Sequence, residues 1–143
     1  WIADQPWNSL VDRDQLCRVA PLVQERTRVL AEGPPQLDFF FLETPEIDQS
    51  AWDKAMTTAE APLILDSTKT AFTTVDWTVA ALHESLRAIG DSLGMKLGKA
   101  QAPVRVAITG RLVGPPLFES LHALGRDAVL ERIVQAQNRL AGV

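Results

Sequence analysis

The feature that most constrains the fold is a run of apolar residues separated by alternating steps of three and four. The run consists of Val79, Leu82, Leu86, Ile89 and Leu93. This spacing places all five side chains on one stripe of an α-helix, whereas a strand would alternate by two. Thr78 or Asp76 is expected to cap the start of the helix, and Gly90 or Gly94 to end it.

The same periodicity returns near the C-terminus and predicts a helix over residues 127–140. Its apolar face is formed by Val129, Ile133, Ala136 and Leu140. Before it, Pro115-Pro116 is suited to open a shorter helix, because a proline at the first helical position loses no useful N–H donor. Gly125 is expected to end that helix.

The first half of the chain predicts several further short helices. They cover residues 12–19, 22–31, 37–42, 48–60 and 62–73. Pro21 is expected to kink or restart the first, and Gly33-Pro34-Pro35 to stop the second. Asp48 or Ser50 can cap the helix that follows.

These patterns together predict an all-α fold, a compact multi-helix cage of two small helical subdomains. The chain has 9 Pro and 8 Gly in 143 residues and lacks the long heptads of a regular four-helix bundle. A change in charge near Asp76-Trp77 suggests the boundary. Residues 1–76 carry a net charge of −7 and residues 77–143 a net charge of +3, so we predict subdomains with those bounds.

Several classes of protein are disfavoured by the composition. The longest apolar runs are far shorter than the roughly 18–20 residues of a membrane-spanning helix, so no membrane partner is expected. A single cysteine, Cys17, allows no internal disulfide, which is compatible with a reducing cytoplasm. No signal peptide is visible, and a chain that opens on Trp1 is expected to be a piece of a longer one.

No motif for catalysis or metal binding is recognisable. His83, His122 and Cys17 have no zinc-site spacing, and His83 is expected to be a surface residue of its helix. The glycines at 90, 94 and 98 are not followed by the Gly-Lys-Ser/Thr of a phosphate loop. We therefore expect no catalytic residue and no metal site.

One stretch has the chemistry of a nucleic-acid contact. Residues 96–111 contain four cations among Gly and Pro, and residues 114–118 add two prolines and an apolar pair. Single-stranded RNA is bound in this way, since unpaired bases stack on side chains while cations meet phosphates. The alternative is a helix–turn–helix with Leu117 and Phe118 in the core.

The same residues carry a family resemblance. The sequences KLG at 96–98, PVRVAITG at 103–110, PPLF at 115–118 and LG at 124–125 closely resemble the C-terminal anticodon-binding region of bacterial glutamyl-tRNA synthetases, which are class I aminoacyl-tRNA synthetases. Upstream, PLVQERTRVL at 21–30 and the Phe39–Phe41 run are similar to an earlier helical subdomain of that region.

This resemblance implies a fold and a function. The family's fold here is an all-α cage of two helical subdomains, and its partner is the anticodon loop of the glutamate tRNA. A separate catalytic domain in cis uses ATP and Mg²⁺ to join glutamate to that tRNA in the cytoplasm. The signatures of that domain are absent here, so by resemblance the fragment needs no cofactor and is inactive as a ligase on its own.

The resemblance also implies RNA-binding residues. Arg26 matches an arginine that inspects the last anticodon base, and Arg105 one in the pocket for the first two bases. The loop that cradles those bases corresponds to Gly114, Pro115, Pro116, Leu117 and Phe118, with Leu117 as an apolar shelf. Pro116 stands where relatives often have Gly, which removes one backbone N–H donor.

Two other interpretations stay open at the level of the sequence. Arg26 and Arg105 are also compatible with structural caps or surface ion pairs. The acidic first half is compatible with a helical protein-interaction domain that docks a basic partner without binding RNA.

Overall fold

A computed structural model describes residues 8–24 and 33–142, and within them it is built from α-helices. Eight α-helices follow a short 3-10 turn at Asn8–Leu10. They are α1 (Arg13–Gln24), α2 (Gly33–Phe41), α3 (Gln49–Met56), α4 (Ala61–Thr74), α5 (Val79–Ser92), α6 (Leu97–Thr109), α7 (Leu117–Leu124) and α8 (Arg126–Leu140). These residues form no strand, and the all-α prediction is confirmed.

The helix predicted from the apolar stripe is α5. Thr78 is its N-cap, and the Thr78 Oγ1 accepts the Ala81 N–H at 3.2 Å. Leu82 and Leu86 are fully buried, while His83 is exposed as predicted. The stripe therefore faces the core, because a helix surrounded by neighbours buries its apolar side.

Other predicted caps lie close to the observed ones, whereas Pro21 does not restart a helix and α2 begins at Gly33 rather than at residue 37. Asp48, rather than Ser50, caps α3, since its carboxylate accepts the Ala51 N–H at 2.9 Å. Pro21 lies inside α1, which continues to Gln24. Gly125, at a φ of +89°, separates α7 from α8.

Helix α6 is the first helix of the helix–turn–helix alternative, for which the sequence patterns gave no bounds. It runs through Pro103 and ends at Gly110, whose φ of +77° gives a left-handed cap. Ala100, Val104 and Ile108 are fully buried at spacings of four. This stripe holds the helix in the core although Gly98 and Pro103 weaken its intrinsic propensity.

Buried side chains form two clusters. The main cluster is built from α3 to α8, with α4 packed against α5, α6 and α8. The second cluster joins Val19 of α1 to Leu37 and the Phe39–Phe41 run of α2. The main cluster contains residues from both sides of Asp76, and the boundary between the two clusters falls between α2 and α3. The division into RNA-binding subdomains 1–76 and 77–143 stays a prediction.

No helix within residues 8–24 and 33–142 is both long and apolar enough to cross a membrane.

Among glycines 90, 94, 98, 110, 114, 125 and 142, Gly110 leaves the least room for a side chain. A Cβ atom there would lie 1.9 Å from the Glu46 carbonyl oxygen. The Gly110 carbonyl accepts the Asp48 N–H at 2.9 Å. The end of α6 is thereby fixed against the segment that leads into α3, and glycine is required by both φ and space.

We predict that Gly110→Ala destabilises the domain far more than Gly94→Ala. Gly94 also has a positive φ, +69°, but its Cβ position has no neighbour within 4 Å. Gly94→Ala should therefore cost about 1–2 kcal/mol from the backbone conformation alone, and Gly110→Ala at least twice as much. Urea denaturation measures the free energy of unfolding of both variants. Equal losses would contradict the prediction, because they would show that the backbone at Glu46 moves away at little cost.

Candidate nucleic-acid interface

The structure brings Arg105 and the loop after α6 into contact. Arg105 is half-buried on α6, and its Nη1 donates a hydrogen bond to the Pro115 carbonyl at 2.8 Å. A Cβ at Gly114 would lie 3.9 Å from the same Nη1. The loop at 114–116 is therefore held against a guanidinium ten residues earlier in the chain.

Pro116 ends the loop and begins α7. Its carbonyl accepts hydrogen bonds from both the N–H and the Oγ of Ser120, at 3.1 and 2.7 Å. Pro115 is buried, whereas Gly114 and Pro116 are half-buried. Two consecutive prolines fix φ, so the loop has little conformational freedom.

The apolar pair that follows the loop lies in the core. Leu117 is 3% exposed and Phe118 is 7% exposed. The ring of His83 packs edge-on against Phe118, with 4.9 Å between centroids. These two buried side chains support the loop from the side of the core. Direct contact of either side chain with a base stays a prediction, and so does the role of Leu117 as an apolar shelf.

The exposed surface next to the loop is formed by Val113. Its side chain is 81% exposed. A pocket of about 350 Å³ lies beside it and is lined by residues of α3 and of the segment after α6, including Lys54 and Arg111. A partner that approaches the loop therefore meets an apolar side chain near Lys54, Asp48 and the Arg111 that pairs with Asp38.

Arg26 lies in the segment 25–32, outside the described residues. Its contact with the last anticodon base stays a prediction.

The turn that leads from α6 into the loop is held by Thr109. The Thr109 Oγ1 lies 2.8 Å from the Arg105 carbonyl oxygen, and it accepts the Arg111 N–H at 3.2 Å. The start of the loop is therefore linked to the turn of α6 that carries Arg105.

Arg111 forms a bidentate ion pair with Asp38 of α2. Its Nη1 and Nη2 donate to the two carboxylate oxygens at 3.1 and 2.7 Å. The side chain of Asp38 is only 9% exposed, and burial raises its pKa above the ordinary value of 3.8 although Arg111 opposes the shift. The sequence suggested Arg111 as one of four RNA-facing cations, whereas the structure pairs it within the protein.

A second arginine, Arg132 of α8, lies buried at the same junction. Its Nη1 donates to the Ile108 carbonyl at 2.8 Å, and its Nη2 donates to the carbonyls of Phe39 and Leu42, both at 2.6 Å. Burial lowers its pKa to about 10, so it remains charged at neutral pH. It joins the C-terminal ends of α2 and α6.

Asp38 and Arg132 were not identified from the sequence, although each leaves a signal there. Arg132 follows Val129 by three residues and precedes Ala136 by four, which is the spacing of the apolar face of α8. Asp38 interrupts the apolar run from Leu37 to Phe41. A charged residue on an apolar face is rarely buried without a partner, so both positions indicate buried polar contacts.

The chain belongs to a family of anticodon-binding domains. A family model described as "Anticodon binding domain" matches residues 3–137. This match covers both buried clusters and the loop at 114–116.

The similar proteins of known name are glutamate–tRNA ligases. The chain is 47% identical to the enzyme from Frankia casuarinae over 96% of its length and 50% identical to that from Salinispora arenicola over 97%. It spans only 29% and 30% of those relatives. Its fold resembles part of a glutamate tRNA ligase structure from Elizabethkingia meningosepticum, with a TM-score of 0.80 at 24% identity, covering 91% of this chain and 26% of that one.

We predict that Arg132→Met destabilises the domain by roughly 3–5 kcal/mol, because three buried carbonyls lose a charged donor. Arg139→Met on the same helix is the matched control. Arg139 is exposed, stacks over Trp52 at 4.5 Å and bonds Gln49, so its loss should cost less than about 1 kcal/mol. Urea denaturation measures both, and similar losses would contradict the structural role of Arg132.

We further predict a pH effect from Asp38. Because its pKa is raised in the folded state, its contribution to the free energy of unfolding is present below pH 3.8 and is lost as pH rises through the folded pKa. The stability of the parent protein relative to Asp38→Asn should therefore fall as pH rises above 3.8. Urea denaturation of both proteins at each pH measures this difference. If the relative stability of the parent protein rose with pH instead, the effect of the Arg111 charge on the pKa of Asp38 would outweigh that of burial.

Proposed function

We propose that this chain is the C-terminal, anticodon-binding part of a glutamate–tRNA ligase and that it recognises the anticodon loop of a glutamate tRNA. The family match and the names of the similar full-length enzymes support this proposal. In the whole enzyme, ATP, Mg²⁺ and the glutamylation reaction belong to a catalytic domain in cis. This fragment supplies tRNA recognition in the cytoplasm and no ligase activity of its own.

The observation that carries the proposal is the contact between Arg105 and the loop at 114–116. A guanidinium is planar and permanently charged, so it can stack on an unpaired base or bond to its edge. The Pro115 carbonyl fixes this group at 2.8 Å, and the side chain is only half-buried. Arg105 is therefore oriented before a nucleotide arrives.

The loop itself suits an unpaired nucleotide. Gly114 has no side chain and permits close approach of a base or ribose. Pro116 is half-buried and has no N–H, so it offers ring surface to the ligand. Because the loop is stiff before binding, little conformational entropy is lost when RNA is bound.

The buried pair beneath the loop contributes indirectly in this proposal. Leu117 and Phe118 anchor the first turn of α7 in the core, and Ser120 holds the Pro116 carbonyl. The loop is thus supported from one side, while the half-buried Gly114 and Pro116 are partly accessible to a ligand. Arg26 would complete the recognition of the anticodon by contacting its last base.

The charge distribution is compatible with this partner. Residues 77–143 carry a net charge of +3, whereas residues 1–76 carry −7. Phosphate contacts are therefore expected from the second half, and binding should weaken as salt increases. No contact among the residues that the structure describes favours the alternative of a protein-interaction domain.

We predict that Arg105→Ala weakens binding to an anticodon stem-loop of the glutamate tRNA by about 1–3 kcal/mol, the range for loss of a bidentate base contact. Arg26→Ala should have a similar effect. Fluorescence anisotropy with a labelled stem-loop at fixed salt measures the dissociation constants. Far-UV circular dichroism verifies that each variant is folded.

Arg87→Ala is the matched control for this experiment. It removes the same charge from α5, where Arg87 is exposed and pairs with Glu84 at 2.6 Å. Its effect on binding should be small, because the loop is not involved. Equal effects of Arg87→Ala and Arg105→Ala in folded proteins would contradict the assignment of Arg105.

A further inference from the structure

The ion pair between Arg111 and Asp38 links two distant parts of the chain. The residues are 73 positions apart, and both carboxylate oxygens of Asp38 are contacted by the guanidinium. The Asp38 carboxylate also accepts the Phe39 N–H at 2.7 Å. Asp38 is thus fixed within α2, and Arg111 is drawn toward a helix that belongs to the other buried cluster.

Arg111 lies at the start of the connection that contains the loop at 114–116. The other end of this connection is held by the hydrogen bond from Arg105 to Pro115. Between these two points lie only three residues, 112–114. The position of Arg111 therefore restricts where Gly114 can lie relative to the Arg105 guanidinium.

The pair is not needed to join α2 to α6. Arg132 already bridges the Ile108 carbonyl of α6 and the Phe39 and Leu42 carbonyls at the end of α2. It is buried, whereas the Arg111 side chain is 30% exposed. Loss of the Arg111 pair should therefore move the loop without separating the helices.

Helix α2 is also the element that follows the segment containing Arg26 in the sequence. We propose that Asp38 and Arg111 are positioning residues that set the loop at 114–116 relative to α2 and thereby sharpen discrimination among anticodon bases. This inference rests on the proposed function. The bidentate geometry favours positioning over a phosphate contact, since Arg111 directs both terminal nitrogens at a buried carboxylate.

The experiment compares two variants that keep the positive charge at position 111. Asp38→Asn removes the carboxylate charge. Arg111→Lys replaces the planar guanidinium, which donates two parallel hydrogen bonds, with an ammonium group. Each is tested for binding to the glutamate-tRNA anticodon stem-loop and to stem-loops with one anticodon base replaced. Both variants should lower the ratio of cognate to non-cognate affinity by at least about threefold, with an unchanged dependence of affinity on salt.

The matched controls are Glu84→Gln and Arg87→Lys. They make the same types of change in the exposed ion pair of α5, and they should leave the affinity ratio unchanged. These controls separate an effect of the Asp38–Arg111 pair from a general effect of altered charge.

Each other outcome has a defined meaning. If the unaltered chain shows no preference for the cognate stem-loop, the proposed function fails. If the unaltered chain prefers the cognate stem-loop and both variants keep the same ratio of cognate to non-cognate affinity, the positioning inference alone is overturned. A third variant, Arg111→Met, removes the charge at position 111. If it weakens binding to all stem-loops uniformly with a shallower salt dependence, while Asp38→Asn has no effect, Arg111 is a phosphate contact and the positioning inference is overturned. If neither Asp38→Asn nor Arg111→Lys folds, the inference is also overturned, because the ion pair would then be required for folding rather than for positioning the loop.

Discussion

The buried guanidinium of Arg132 holds the ends of two helices together. The last turn of an α-helix leaves carbonyl groups without partners inside the helix. Arg132 donates to three such carbonyls at the ends of α2 and α6. Burial of a charge is unfavourable, and the lowered pKa of the group reflects that cost. The hydrogen bonds offset the cost, and the position of the following turn depends on them.

Much of the helical framework could be predicted from local patterns. The stripe and the Thr78 cap define α5, and Gly125 separates the two last helices, because these signals act within one or two turns. Helix α6 was predicted only as part of a helix–turn–helix alternative and without bounds, because Gly98 and Pro103 lower its local propensity. Its helical state depends on burial against α4, α5 and α8, which a local pattern does not contain.

The candidate site could be predicted only in part for the same reason. The resemblance singled out Arg105 and residues 114–118, and the structure places Arg105 against Pro115. The resemblance implied that Leu117 is an apolar shelf for a base, whereas the helix–turn–helix alternative put Leu117 and Phe118 in the core, where the structure places both. The pairing of Arg111 with Asp38 bridges 73 residues, and such a contact is set by tertiary packing rather than by spacing.

The connection between α6 and α7 has a consequence for how this chain can vary. It is fixed at Gly110 by the close approach to Glu46, at Arg111 by Asp38, at Pro115 by Arg105, and at Pro116 by Ser120. With two fixed points at each end and only residues 112–114 between them, the segment has little slack to absorb an inserted or deleted residue. Variation here is therefore restricted to exchanges of side chain, above all at the solvent-facing Val113, whereas the number of residues between the two helices is constrained by geometry.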